Sequence, residues 1–484
     1  MHSLNGRALF ALLAGSFVVA SACSGTSRSF PSGGAGDAGD SNNPEGGATN
    51  HAGTSNGGAH QAGTSNGGAA ATGGDAGSST GAVGGDVGEG GTPGTPECGA
   101  PGTPCCEGNL CIAHAACTAA SCKCSANYTA CNDECVDLKA DPKNCGTCGH
   151  DCLGGTCDIG VCQPVNVVTG QSGLEQMTTD GTYLYFTGHT APSSGYYVAR
   201  RRVDASDAVK MLAPSEAAGY RLTIGGTKLY WVAAQHLRVC DLPDCASGPK
   251  DAIPSLLPTK DVALSYEPSK GSLFLGCSTG YPYQGGSTLL LASGSTTPVA
   301  IGPNQAAPYA VVNDASDVYW LNTATYTTQG AQNPDGGIWR YRASDAATTQ
   351  LVNSVRGDLS YLAIGGGALY FAGNLEQTAG KYTSSIIRAP LPNGLAQGTL
   401  PTFAASGGVR GLLADDNAVY FGDSPQSTGT ISRCPIAACP TPEVIVPGIE
   451  QPELETQDAV SIYWKSTHVM NGGYTTVLVQ RLAK

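Results

Sequence analysis

Three groups of residues have the types and spacing for chemistry. The first is "NCGTCGHDC" (144–152), where Cys145, Cys148 and Cys152 crowd around His150. Such a cluster suits a zinc site, a redox couple or a set of disulfides. The second is the trio His189, His236 and His468, whose imidazoles can carry protons or bind a metal if their nitrogens come within about 2.0–2.2 Å of one ion. The third is a set of charged residues, Glu175, Arg221, Asp358, Arg410 and Glu453, each just ahead of or inside a short apolar run. Mixed charges of this kind can hold a polar ligand such as a glycan or peptide, or simply form a solvated rim. No P-loop or EF-hand loop accompanies them. What they do therefore depends on compartment and on the elements that position them.

Compartment is read from the start of the chain. Arg7 precedes the 15-residue apolar run "ALFALLAGSFVVASA" (8–22), which ends in small residues and is too short for a comfortable membrane span. Residues 1–22 read as an export signal. The step "VVASACSG" resembles the bacterial lipoprotein signal, and that resemblance implies a lipid on Cys23, with a membrane as partner and the cell envelope, an outer membrane or the cell surface, as location. Ordinary cleavage after Ala22 is the alternative. Either route exports the chain to where thiols oxidise, so Cys145, Cys148, Cys152, Cys157 and Cys162 are expected in disulfides and His150 at the surface.

Composition narrows the partners. Charged residues are 13% of 484, and the net charge is −13, which argues against nucleic acid. Residues 23–96 are dominated by Gly, Ala, Ser, Thr and Asn, and carry two near-copies, "HAGTSNGGA" (51–59) and "QAGTSNGGA" (61–69). They read as a flexible linker.

Between Cys98 and Cys162 lie 14 cysteines in 65 residues with few large apolar side chains, so disulfides rather than a core must hold segment 97–163. The stretch "CEGNLCIAHAACTAASCKCSANYTAC" (106–131) loosely resembles an EGF-like module. The adjoining stretch, "CNDECVDLKADPKNCGTCGHDCLGGTCDIGVC" (131–162), resembles the stigma-specific cysteine-rich family in the form frequent in exported myxobacterial proteins. Cys131 suits either module, and the connectivity stays open. The segment is expected to be a stiff collar between linker and C-terminal domain.

Residues 164–484 contain a repeat. The steps "YLYFTG", "KLYWVA", "SLFLGC", "DVYWLN", "ALYFAG", "AVYFGD" and "SIYWKS" align on Tyr185, Tyr230, Phe274, Tyr319, Tyr370, Tyr420 and Tyr463, at spacings of 45, 44, 45, 51, 50 and 43 residues. Each comes after a short apolar run and a turn and precedes two further alternating runs, which is the pattern of a four-stranded propeller blade. The last unit lacks a fourth strand, and "PVNVVTG" (164–170) is a spare one at the other end, so a seven-bladed, all-β ring closed by strands from both ends is expected. The steps resemble those of YWTD-type propellers, which implies fold but no chemistry.

The ring orders the candidate residues. The starts of the inner strands carry Glu175, Arg221, Asp358, Arg410 and Glu453 to the channel mouth, and the three histidines come after second strands on that same face. Resemblance to virginiamycin B lyase, a seven-bladed propeller with catalytic His and acidic groups and a divalent cation, implies that a lyase or hydrolase is conceivable. The histidines lie 4, 6 and 5 residues past the aligned aromatic, however, an uneven offset that favours separate loop residues over a shared metal. The pairs Cys240/Cys245 and Cys434/Cys439 have the same five-residue spacing and read as hairpin-pinning disulfides, leaving Cys277 over. The expectation is a monomeric propeller, without cofactor, that binds an extracellular glycan or protein. The alternatives are the enzyme and a purely structural envelope component.

Overall fold

The computed structural model describes residues 98–484 apart from 192–193, 218, 260, 279–284, 324–335, 356, 379–380, 397–399, 425–427 and 470–474. The export signal, Cys23 and the linker lie outside the described residues, as does the side chain of His468. Among the described residues there is no helix. Seven four-stranded antiparallel sheets form the C-terminal domain. Blade 1 consists of Gln176–Thr179, Tyr183–Ala191, Ser194–Arg202 and Lys210–Glu216, and blades 2 to 6 begin at Gly219, Asp261, Pro308, Gly357 and Val409. Blade 7 takes Glu453–Gln457, Ser461–Val469 and Thr475–Ala483 from the end of the chain and Val165–Ser172 from the start of the domain, paired from Val165 with Arg481 to Ser172 with Thr476. The chain is a seven-bladed β-propeller.

The aligned aromatic step results from how blades stack. A middle strand has a neighbouring blade on each face, so both sets of alternating side chains are buried and the strand reads as one apolar run. Tyr185 packs with Leu229 and Trp231 of blade 2, whereas Leu184 and Phe186 pack with Tyr463 and Val479 of blade 7. Seven such clusters fill the seven interfaces between blades, and Trp231, Trp320, Trp464, Tyr185, Tyr370 and Tyr463 are among the largest fully buried side chains.

The acidic turns between first and second strands hold these tyrosines. In blade 7 one oxygen of Asp458 accepts the backbone N–H groups of Val460 (2.9 Å) and Ser461 (2.7 Å), and the other accepts the Tyr463 hydroxyl at 2.6 Å. Asp180 with Tyr185 and Asp314 with Tyr319 repeat the arrangement at 2.9 and 3.0 Å. In "ADDNA" (414–418) the Asp415 carboxylate takes the backbone N–H groups of Asn417 and Ala418 and the Lys484 ammonium as donors. Asp458→Ala should cost about 1–3 kcal/mol in denaturant unfolding, with part recovered by adding Tyr463→Phe, which removes the orphaned hydroxyl. A loss under about 0.5 kcal/mol would show the turn to be dispensable.

Nine disulfides among the described residues fit an exported protein. Cys240–Cys245 and Cys434–Cys439 each tie the end of a third strand to the turn after it, and Cys277 is free and buried, its thiol pushed up to about 12 by burial. The segment 98–162 holds the other seven bridges. Cys131 pairs with Cys148 and so belongs to the second half, and Cys124–Cys135 joins the halves. In "NCGTCGHDC" the three cysteines have three outside partners, Cys145 with Cys157, Cys148 with Cys131 and Cys152 with Cys162, so the Cys-x-x-Cys is no redox couple. His150 is half-buried rather than on the surface, with Nδ1 hydrogen-bonded to the Cys145 carbonyl at 2.8 Å.

The disulfide segment packs directly on the propeller. Cys145, Cys152 and Cys162 share a buried cluster with Tyr420 of blade 6 and Trp464 and Leu482 of blade 7, and the Arg481 guanidinium donates to the Leu153 carbonyl. These contacts lie at the turn end of blade 7, beside Val165 and Ser461, opposite the end where the inner strands begin.

Candidate ligand site at the channel mouth

Inner strands run from the mouth to the acidic turns, and most carry an irregularity near their start. In blade 2 the pairing jumps from Gly219–Ala233 to Leu222–Trp231, in blade 4 from Pro308–Asn322 to Ala310–Leu321, and in blade 5 from Leu359–Gly373 to Tyr361–Ala372. Blade 6 jumps from Val409–Asp423 to Leu412–Phe421 and blade 7 from Leu454–Trp464 to Thr456–Tyr463. The residues left over include Arg221, Tyr309, Ser360, Arg410 and Glu455. A β-bulge breaks the alternation of faces and re-aims a side chain, and bulges are over-represented beside functional sites. Gly411 shows what the geometry demands: its φ is +88°, and a Cβ there would run into the Leu454 carbonyl.

The bulged residues meet others from neighbouring blades. The Arg221 guanidinium of blade 2 lies 5.6 Å from the centre of the Tyr309 ring of blade 4. Lys465, on the second strand of blade 7, is buried and holds Glu455 at 2.7 Å and Glu453 at 3.2 Å. Its ammonium also donates to the Glu175 carbonyl at the entry to blade 1. The Glu175 carboxylate in turn lies 3.8 Å from His189 Nε2. Gly173, with φ +61°, makes room for that ring: a Cβ there would collide with His189 Cε1.

Electrostatics at the mouth result from burial. Burial pushes Glu175 up to about 7, against the pull of Lys465 and Arg221. Glu455 is likewise pushed up to about 7 by burial, with Lys465 opposing. Burial first, then Glu453, Tyr309 and Glu455, raise the Tyr361 hydroxyl above the phenolic range, so it stays a donor. At neutral pH the mouth thus contains carboxyl groups poised between forms, fixed cations and aromatic rings.

The expected residues divide accordingly. Glu175, Arg221, Arg410, Glu453 and His189 come together, joined by Tyr309, Tyr361, Glu455 and Lys465, which the sequence pattern did not single out. Asp358 is exposed on the first strand of blade 5. His236 is elsewhere. The two-residue hairpin Ala234–Gln235, with φ of +46° and +73°, makes it open the third strand of blade 2, where it faces Asp251 of the fourth at 3.4 Å. His189 and His236 thus face different carboxylates, Glu175 and Asp251. Among the described residues, the His, Cys, Asp or Glu trios close enough to hold a metal are Cys105/Cys111/Cys122 and Cys145/Cys152/Cys162, all members of disulfides.

No protein family and no curated protein matches the chain. Solved propellers do match in shape. The β-propeller domain of the Trilobed protease from Pyrococcus furiosus is 12% identical at a TM-score of 0.43, over 61% of this chain and 91% of that one. A structure of two prolyl endopeptidases is 8% identical at a TM-score of 0.45, over 66% of this chain and 51% of that one. A nidogen/laminin complex is 11% identical at a TM-score of 0.34, over 46% of this chain and 76% of that one. Likenesses of this grade carry no argument, and the propeller is read from its seven four-stranded sheets.

Proposed function

We propose that the protein is an exported, lipid-anchored binding protein whose channel mouth recognises an extracellular glycan or protein. The observation that carries this reading is the set of bulges in four blades, which turn Arg221, Tyr309, Arg410 and Glu455 out of the strand alternation and toward one polar cluster. The apolar interfaces between blades supply most of the ring's stability, and within the cluster it is Lys465 with Glu455 that braces the closing seam. The disulfide segment packs at the opposite end of blade 7. A second reading, hydrolase or lyase, draws on Glu175: a carboxyl held near 7 beside an imidazole suits general acid or base work.

Glycan and peptide arrays probed with the full chain test the binding reading. Binding is expected to fall about tenfold or more in Glu175→Gln or His189→Ala, while thermal unfolding stays within a few degrees of the parent. Hits indifferent to both substitutions, or no hits on either array, would overturn it. Turnover of a bound ligand, lost in Glu175→Gln, would select the enzyme.

A further inference from the structure

The mouth's unfilled bonding capacity identifies a ligand chemistry. Nine of the eleven arginines among the described residues donate to a carboxylate, a carbonyl or a hydroxyl, as Arg200 does to Asp244 and Arg388 to Tyr370. The two exceptions are Arg221 and Arg410, and both stand on bulges at the mouth. Arg221 rests on the Tyr309 ring, and Arg410 is exposed beside Tyr361. The local carboxylates do not serve them: Glu453 and Glu455 are taken up by Lys465, and Glu175 faces His189. What the two guanidinium groups lack is a hydrogen-bond acceptor, while Glu175 keeps a buried carboxylate oxygen without a donor.

Resting on the channel-mouth reading above, we propose that the ligand is an acidic sugar, its carboxylate held by Arg221 and Arg410 and its ring against Tyr309 and Tyr361. Guanidinium groups match a carboxylate's two oxygens, and tyrosine rings offer a flat apolar face with a polar edge. The carboxyl groups supply a pH dependence. Glu175 faces His189, Lys465 and Arg221, and Glu455 faces Lys465, Glu453 and Arg221. An arriving anion favours their protonated forms, so binding takes up protons and affinity falls as pH rises through about 7.

The test uses the full chain and an array of uronate- and sialate-bearing glycans with their methyl esters, then titration calorimetry on the strongest acid at about pH 6 and about pH 8. The acid should bind about tenfold or more tightly than its ester, Arg221→Gln and Arg410→Gln should each lose about tenfold, and affinity should be weaker at the higher pH. Arg410 is exposed, so its variant stays informative if Arg221→Gln fails to fold. Equal binding of acid and ester, or full affinity in the Arg410 variant, would overturn the carboxylate assignment. Exclusive binding of neutral glycans or of peptides at the mouth would overturn this inference while sparing the broader reading. Absence of any glycan or peptide ligand would remove both.

Discussion

Replacing Lys465 by methionine is expected to destabilise the propeller by about 3–5 kcal/mol at neutral pH, because it strands the buried Glu455 without its cation. The ammonium also ties blade 7 to the Glu175 carbonyl of blade 1, so the seam where the ring closes loosens at its inner edge. The loss should depend on pH with a definite sign. Glu455 already holds its proton more tightly when folded, its pKa raised from 4.5 to about 7, and removing Lys465 raises it further. A folded-state pKa above the unfolded one means that stability falls as pH rises from about 4.5 to the folded value. The variant should therefore be penalised more at about pH 8 than at about pH 6. Adding Glu455→Gln should restore most of the stability and flatten that dependence. Equal stability of Lys465→Met and parent in denaturant titrations at both pH values would contradict this account.

The second large effect is expected at Cys152–Cys162. This bridge spans ten residues and ends three positions before the closing strand Val165–Ser172, and both sulfurs are buried against blades 6 and 7. Replacing both cysteines by serine should cost about 2–4 kcal/mol, as loss of a native disulfide commonly does. Amide hydrogens of Val165–Ser172 and their partners on Thr475–Ala483 should then exchange faster, while those of blades 3 and 4 keep their protection. Uniform acceleration around the ring would mean that the bridge supports global stability rather than the closure.

The ring was legible because every blade buries its middle strand on both sides, so the aromatic step had to recur at the blade period. Closure was legible because one blade lacked a strand and one strand lacked a blade. The mouth was only partly so. A bulge is a mismatch of one residue between paired strands, visible only once register is known, and a one-residue slip reverses the face of every side chain. Glu455 and Tyr309 were hidden by this. Lys465 did leave a trace: two residues past the aligned aromatic the other blades carry Thr187, Val232, Gly276, Leu321, Ala372 and Gly422, and a lysine there has to find carboxylates inward. The uneven offset of the histidines has part of its cause in blade 2, whose tight hairpin places His236 at the start of the third strand, against Asp251.

The closing strand also bears on how the molecule answers to force. A pull applied at the N-terminal side of Val165 runs along a strand whose far end continues into blade 1, and whose partner, Thr475–Ala483, is antiparallel to it. Its hydrogen bonds are then loaded together in shear instead of being unzipped one at a time from an end. Tension on the leading segment draws on the whole of blade 7 before the ring can open, so the domain can be held by that end while its mouth faces away.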